Sequence, residues 1–144
     1  MGSFDPKSDG TALSCLRHLM TTKPPTLYQT YDKVEPYITK DGSEIRELMH
    51  PEVHGNSNQS LAEAIVPVGG KTLLHKHMVT EELYHITQGE GAMTLGSEIF
   101  AVQRGDTICI PPCVQHAIEN TGSLQLILLC CCSPPYSHED TVLL

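Results

Sequence analysis

Residues 69–89 read GGKTLLHKHMVTEELYHITQG. His75 and His77 sit two apart, and Glu82 follows five residues after His77. In an extended strand residues i and i+2 project to the same face, so the two imidazoles can be offered to one point in space. A turn over Met78 to Glu81 brings the chain back antiparallel and adds the Glu82 carboxylate. Imidazole with carboxylate suits a borderline or hard divalent ion such as Mn, Fe, Co, Ni or Zn. Three donors leave the set one short. Residues 105–120, GDTICIPPCVQHAIEN, supply His116 on what reads as a second hairpin.

The spacing of these residues resembles the cupin superfamily. Gly69, His75, His77, Glu82 and Gly89 fit its first motif without a gap. Gly105, Pro111, His116 and Asn120 fit its second, with Cys113 where the family has glycine. The resemblance covers residues 61–132. It implies an all-β fold, a single cupin-type antiparallel β-barrel of the jelly-roll kind, with His75, His77, Glu82 and His116 holding one divalent metal inside. Glu81 also satisfies the variable gap of the first motif, but only Glu82 leaves six residues before Gly89. Within the superfamily the chain looks most like proteins described as similar to the mannose-6-phosphate isomerase C-terminal domain. That likeness does not extend to sugar-phosphate turnover, because the chain offers no evident phosphate loop and few basic residues.

The bulk properties bound the reading. A chain of 144 residues is one domain with room for a proper core. A net charge of −8 argues against nucleic acid or an anionic membrane as partner. No apolar run approaches the length of a membrane span, and the polar, acid-bearing start MGSFDPKSDG is not a secretory signal. Three of the six cysteines, Cys130 to Cys132, are consecutive in an apolar strand, where disulfide geometry is poor and thiols pack as small hydrophobes. A reducing, cytoplasmic setting follows. Without a CxxC pair, a cysteine zinc site is not expected.

Residues 1–40 read as an N-terminal extension, disordered at first, with a short helix over Ala12 to Met20, then broken by TTKPPT. Residues 41–144 read as the barrel and its tail. Asp41-Gly42 is a turn signal. Candidate strands follow at Glu44–Met49, Leu61–Val68, Leu83–Thr87, Ala92–Leu95, Glu98–Val102, Thr107–Ile110, Val114–Glu119 and Leu124–Cys132, parted by glycine turns in the manner of a sandwich or barrel. His50 to Ser60 is a polar loop, and the tail from Ser133 is expected to pack over the outside. Leu27 to Met49 is the segment through which a homodimer would pair, as cupins often do.

Three further residues are candidate catalytic groups. Tyr84 shares a face with Glu82 in a regular strand and can donate a hydrogen bond to a substrate oxygen. Glu63 alternates with Leu61 and Ile65, so it either enters the pocket as a base or faces solvent. His54, on the loop, is a candidate general base if that loop covers the barrel mouth. His85 turns to the face opposite Glu82, and Gln115 either orients a ligand or faces outward. At Cys113 a positive φ would cost a non-glycine residue on the order of 1 kcal/mol.

Three neutral imidazoles and one carboxylate leave a divalent ion with a net charge near +1 and about two open positions if it is octahedral. The reading is therefore a metal-dependent enzyme acting on a small oxygenated metabolite. Its chemistry is Lewis-acid carbonyl or enediolate chemistry of isomerase, cyclase or lyase type. An Fe(II)-dependent dioxygenase of a small chelating substrate is one alternative. A non-catalytic small-molecule-binding barrel is the other.

Overall fold

A computed structural model describes residues 27–144. The expected disordered lead and the short helix over 12–20 lie outside the described residues. Among the described residues eleven strands form two antiparallel sheets, in the jelly-roll manner of a double-stranded barrel. In chain order they are β1 (Tyr37–Ile38), β2 (Glu44–Met49), β3 (Ser60–Val66), β4 (His75–His77), β5 (Glu81–Gln88), β6 (Glu90–Leu95), β7 (Glu98–Gln103), β8 (Thr107–Ile110), β9 (His116–Asn120), β10 (Leu126–Ser133) and β11 (Thr141–Leu143). One sheet runs β1-β2-β3-β10-β5-β8 and the other β11-β4-β9-β6-β7.

The strands alternate as half-buried strands must. Along β5, Glu82, Tyr84 and Ile86 are buried while Glu81, Leu83 and His85 face out. Along β10, Leu126, Leu128, Cys130 and Cys132 take the inner face. Leu126, Leu128 and Cys130 join Ile45, Val66, Met93, Ile110 and Ile118 in one apolar core between the sheets. Two glycine positions of the cupin-like motifs, one of them held here by cysteine, have a visible reason. Gly89 turns the chain from β5 into β6 at a φ of 83°, and a Cβ there would lie 2.7 Å from the Gln125 carbonyl. Cys113 keeps the left-handed conformation that glycine would adopt, at a φ of 67°, and its thiol donates to the Met78 carbonyl at 3.3 Å.

Two expected hairpins are not hairpins. β4 pairs with β9 and β11, whereas β5 pairs with β10 and β8. The link between β4 and β5 carries the chain from one sheet to the other. Its amides at Val79 and Thr80 donate to the Asp140 carboxylate at 2.9 and 3.0 Å. The link from β8 to β9 crosses in the same way. Its Pro111-Pro112 pair, with no N–H to give, cannot continue a ladder. The polar loop after β2 contains one helical turn, α1 (Pro51–His54), with Pro at its start, His50 as its N-cap and Gly55 ending it in the left-handed region. The tail also departs from expectation. Instead of lying over the outside, it adds β11 to the edge of the second sheet, with Thr141 opposite His77.

Asn120, the last residue of the second motif, is a buried polar strut. Its amide donates to the carbonyls of Val66 (2.9 Å) and Leu124 (2.8 Å), and its side-chain oxygen accepts from the Gly122 amide (3.0 Å). Replacing it by alanine strands those groups in a dry interior. Asn120→Ala should lower the unfolding free energy of the metal-free protein by about 2 kcal/mol, measured as a fall in urea midpoint at unchanged slope.

Candidate metal centre

His75 and His77, the ends of β4, are each 3% exposed and point into the barrel. His116 opens β9 directly opposite His75 and is wholly buried. Glu82 enters from β5 in the facing sheet. One ligand atom from each of the four lies within 4.8 Å of the others. The Glu82 Oε2 atom is 3.1 Å from His77 Nε2 and 3.3 Å from His116 Nε2.

The outward nitrogens decide what the inward ones can do. His75 Nδ1 meets the Leu73 carbonyl at 2.7 Å, and His116 Nδ1 meets the Val114 carbonyl at 3.0 Å. A carbonyl only accepts, so each Nδ1 carries the proton. His77 Nδ1 meets Thr141 Oγ1 at 3.1 Å, and that hydroxyl gives its own proton to the Ser137 carbonyl at 2.9 Å. It therefore accepts from His77. In their neutral forms all three rings then present an Nε2 lone pair to the Glu82 carboxylate, with no donor among them. His116 Nε2 is buried without a hydrogen-bond partner. Such a cluster is repulsive unless a positive charge occupies its centre, and one divalent cation supplies it. The residues present fit a metal ion.

Protonated rings supply the same positive charge: burial works to raise the Glu82 carboxyl, but Nε2 protons on His116 and His77 outweigh it through hydrogen bonds and charge and carry the group down to about 2. Burial, with His116 close by, lowers His75 and favours the neutral, ligating ring. Behind Glu82, the Cys132 thiol donates to its other oxygen, Oε1, at 3.3 Å. Burial, then the nearby Glu82 charge, pushes that thiol up, so it remains a donor.

His75, His77 and Glu82 line a cavity of about 40 Å³. Tyr84 lines it, its phenol pushed well up by burial and by Glu82. Asp41 lines it too, from the turn between β1 and β2. Its Oδ1 accepts from Thr39 Oγ1, from Ser43 Oγ at 2.7 Å and from the Ser43 amide at 3.1 Å, while Oδ2 stands 4.0 Å from His75 Nε2. Beyond Tyr37, Glu47 and Tyr136, which border both spaces, a hollow of about 340 Å³ opens beside α1.

The other expected groups lie elsewhere. Glu63 accepts from the Tyr31 hydroxyl at 2.5 Å and does not line the cavity. His54 Nδ1 accepts from the His50 amide at 2.9 Å, within the cap of α1, and lines neither space. His85 faces out and meets Thr107 Oγ1, and Gln115 donates to the Gly96 carbonyl. Reading the sequence missed Asp41, Thr141, Cys132 and Tyr136. Cys132 was discoverable, because its strand parity puts it beside any ligand on the neighbouring strand. Asp41 read only as a turn former.

A two-sheet antiparallel barrel with an interior centre of three histidines and one glutamate defines a class. The chain belongs to the cupin superfamily, and the model of the cupin domain matches residues 62–132. The uncharacterized protein MJ1618 of Methanocaldococcus jannaschii is 63% identical over 114 residues, which cover 79% of this chain and 91% of that protein. An oxalate-binding protein of Thermotoga maritima is 31% identical over 86 residues, or 60% of this chain and 71% of that protein. Among solved structures, one described as a predicted oxalate decarboxylase from Thermotoga maritima superposes with a TM-score of 0.65 at 25% identity, covering 73% of this chain and 96% of that one.

Protein expressed in metal-replete medium should carry close to one divalent ion per chain by elemental analysis, and His77→Ala should lose it while still unfolding cooperatively. Thr141→Val keeps the shape of the side chain but removes the acceptor behind His77. It should weaken metal affinity by roughly tenfold or more in a chelator competition.

Proposed function

We propose that the chain is a metal-dependent enzyme acting on a small oxygenated metabolite through Lewis-acid carbonyl or enediolate chemistry, of isomerase, cyclase or lyase type. His75, His77, Glu82 and His116 would hold the ion. A divalent ion bound there would polarise a ligand carbonyl and ease loss of a proton from the adjacent carbon.

The observation that carries this reading is a free carboxylate oxygen beside the four donors. Asp41 Oδ1 is fully engaged in its turn, so Oδ2 is held rigidly and is open toward the cavity. An acceptor fixed in that way is suited to take a proton from a bound ligand. Tyr84, kept protonated by burial, is a donor in the same space. The small volume excludes bulk water and restricts the substrate to a few non-hydrogen atoms. A non-catalytic ligand-binding barrel is the second reading, favoured by the likeness to an oxalate-binding protein.

Loss of a proton from carbon leaves an isotopic record. Metal-loaded protein incubated anaerobically in D₂O with a panel of small hydroxy-ketones should place deuterium beside the carbonyl of one of them, detected by NMR. Binding without exchange or conversion across the panel favours the second reading. Oxygen uptake with Fe(II), coupled to substrate loss, would instead make the protein a dioxygenase.

A further inference from the structure

The cavity is lined by three carboxylates, Asp41, Glu47 and Glu82, and among the described residues no lysine or arginine lines it. The cations nearest in sequence are engaged elsewhere. Lys40 Nζ donates to the Thr141 carbonyl at 2.7 Å, and Arg46 pairs with Glu44 at 3.3 Å. Glu82 belongs to the metal-ligating set, so its charge offsets part of the ion's. The other two carboxylates each keep one oxygen unengaged. Asp41, 9% exposed, turns Oδ2 into the cavity. Glu47 receives the Tyr37 hydroxyl on Oε2 at 3.1 Å, and its Oε1 is shielded from solvent without a partner.

A buried acceptor with no donor is a strong constraint on what may bind beside it. A ligand hydroxyl satisfies it, whereas a second carboxylate or a phosphate brings more acceptors and a like charge into a water-poor space. Glu82 already offsets part of a divalent ion's charge, and the Asp41 and Glu47 carboxyl groups line the same space. A dianion would then enter a site that offers it no cationic side chain.

We infer that this cavity selects an uncharged ligand bearing hydroxyl groups, of the hydroxy-ketone or small polyol class, with Asp41 Oδ2 and Glu47 Oε1 as the acceptors that read those hydroxyls, and that it discriminates against dicarboxylates and phosphate esters. The inference rests on the metal reading above and adds the substrate class. It assigns Asp41 and Glu47 to specificity through charge and hydrogen bonding.

The test uses the Co(II)-loaded protein, whose visible spectrum reports ligands entering the metal's surroundings. Dihydroxyacetone and oxalate are titrated separately under anaerobic conditions, and the ratio of their affinities is compared between wild type and Asp41→Asn. Removing one negative charge at this range should shift the ratio toward oxalate by at least about tenfold. A shift smaller than about threefold, with Co(II) retained, overturns the inference and leaves the metal reading standing. If Asp41→Asn disturbs its turn and fails to fold, Glu47→Gln, which keeps an acceptor for Tyr37, is judged by the same thresholds. A wild type that retains no Co(II) removes the metal reading and this inference with it.

Discussion

The structure depends on three imidazoles whose outer nitrogens are committed. Leu73, Val114 and Thr141 each take an Nδ1 proton, and the inner nitrogens are left aimed at one carboxylate. With the rings neutral nothing in that group can donate, so the interior is complete only with positive charge at its centre. Because β4 and β9 belong to one sheet and β5 to the other, the same charge ties the two layers together. The donor cluster and the joining of the two sheets are in this sense one construction.

The cavity exists because the strands that border it carry small inner side chains. Ser60, Ala62 and Ala64 on β3, with Cys130 and Cys132 on β10, stop short of the opposite sheet. Farther along the same strands, the larger Val66 and Leu128 form the cavity's inner wall and, with Leu126, Met93 and Ile118, belong to the packed core. A gradient of side-chain volume along β3 and β10 therefore divides the barrel into a packed half and a hollow half. The chain has no tryptophan and two phenylalanines, and the large side chains that border the hollow are Tyr37, Tyr84 and Tyr136. The run of three cysteines serves this gradient. Cys130 and Cys132 face inward as compact apolar groups, and Cys131 faces out.

Much of this was legible in the sequence because the ligands sit at fixed parity on short strands. His75 and His77 must share a face, and Glu82, Tyr84 and Ile86 must share another. Those facts survive any error about pairing. What the sequence did not show was which strands pair. A short connection after β4 looks like a hairpin turn, yet the chain uses it to change sheets, held there by Asp140, sixty residues downstream. Long-range acceptors of this kind leave no local trace. The same holds for the tail, whose irregular composition hid a strand, and for Asp41. That residue has the chemistry of a turn on one oxygen and of a binding site on the other. Glu63 shows the converse: alternation alone left both faces open to it, and Tyr31 holds it outside the cavity.

The position of Thr141 couples two events that a stability measurement would otherwise treat separately. The hydroxyl that steadies His77 rides on β11, which is held to the second sheet by its pairing with β4, and Lys40 grips the Thr141 carbonyl from the other side. An ion that fixes His77 must therefore also fasten β11, since coupling between two binding events runs in both directions. Occupancy of the barrel should be readable at its rim, as slowed amide exchange along residues 141–143.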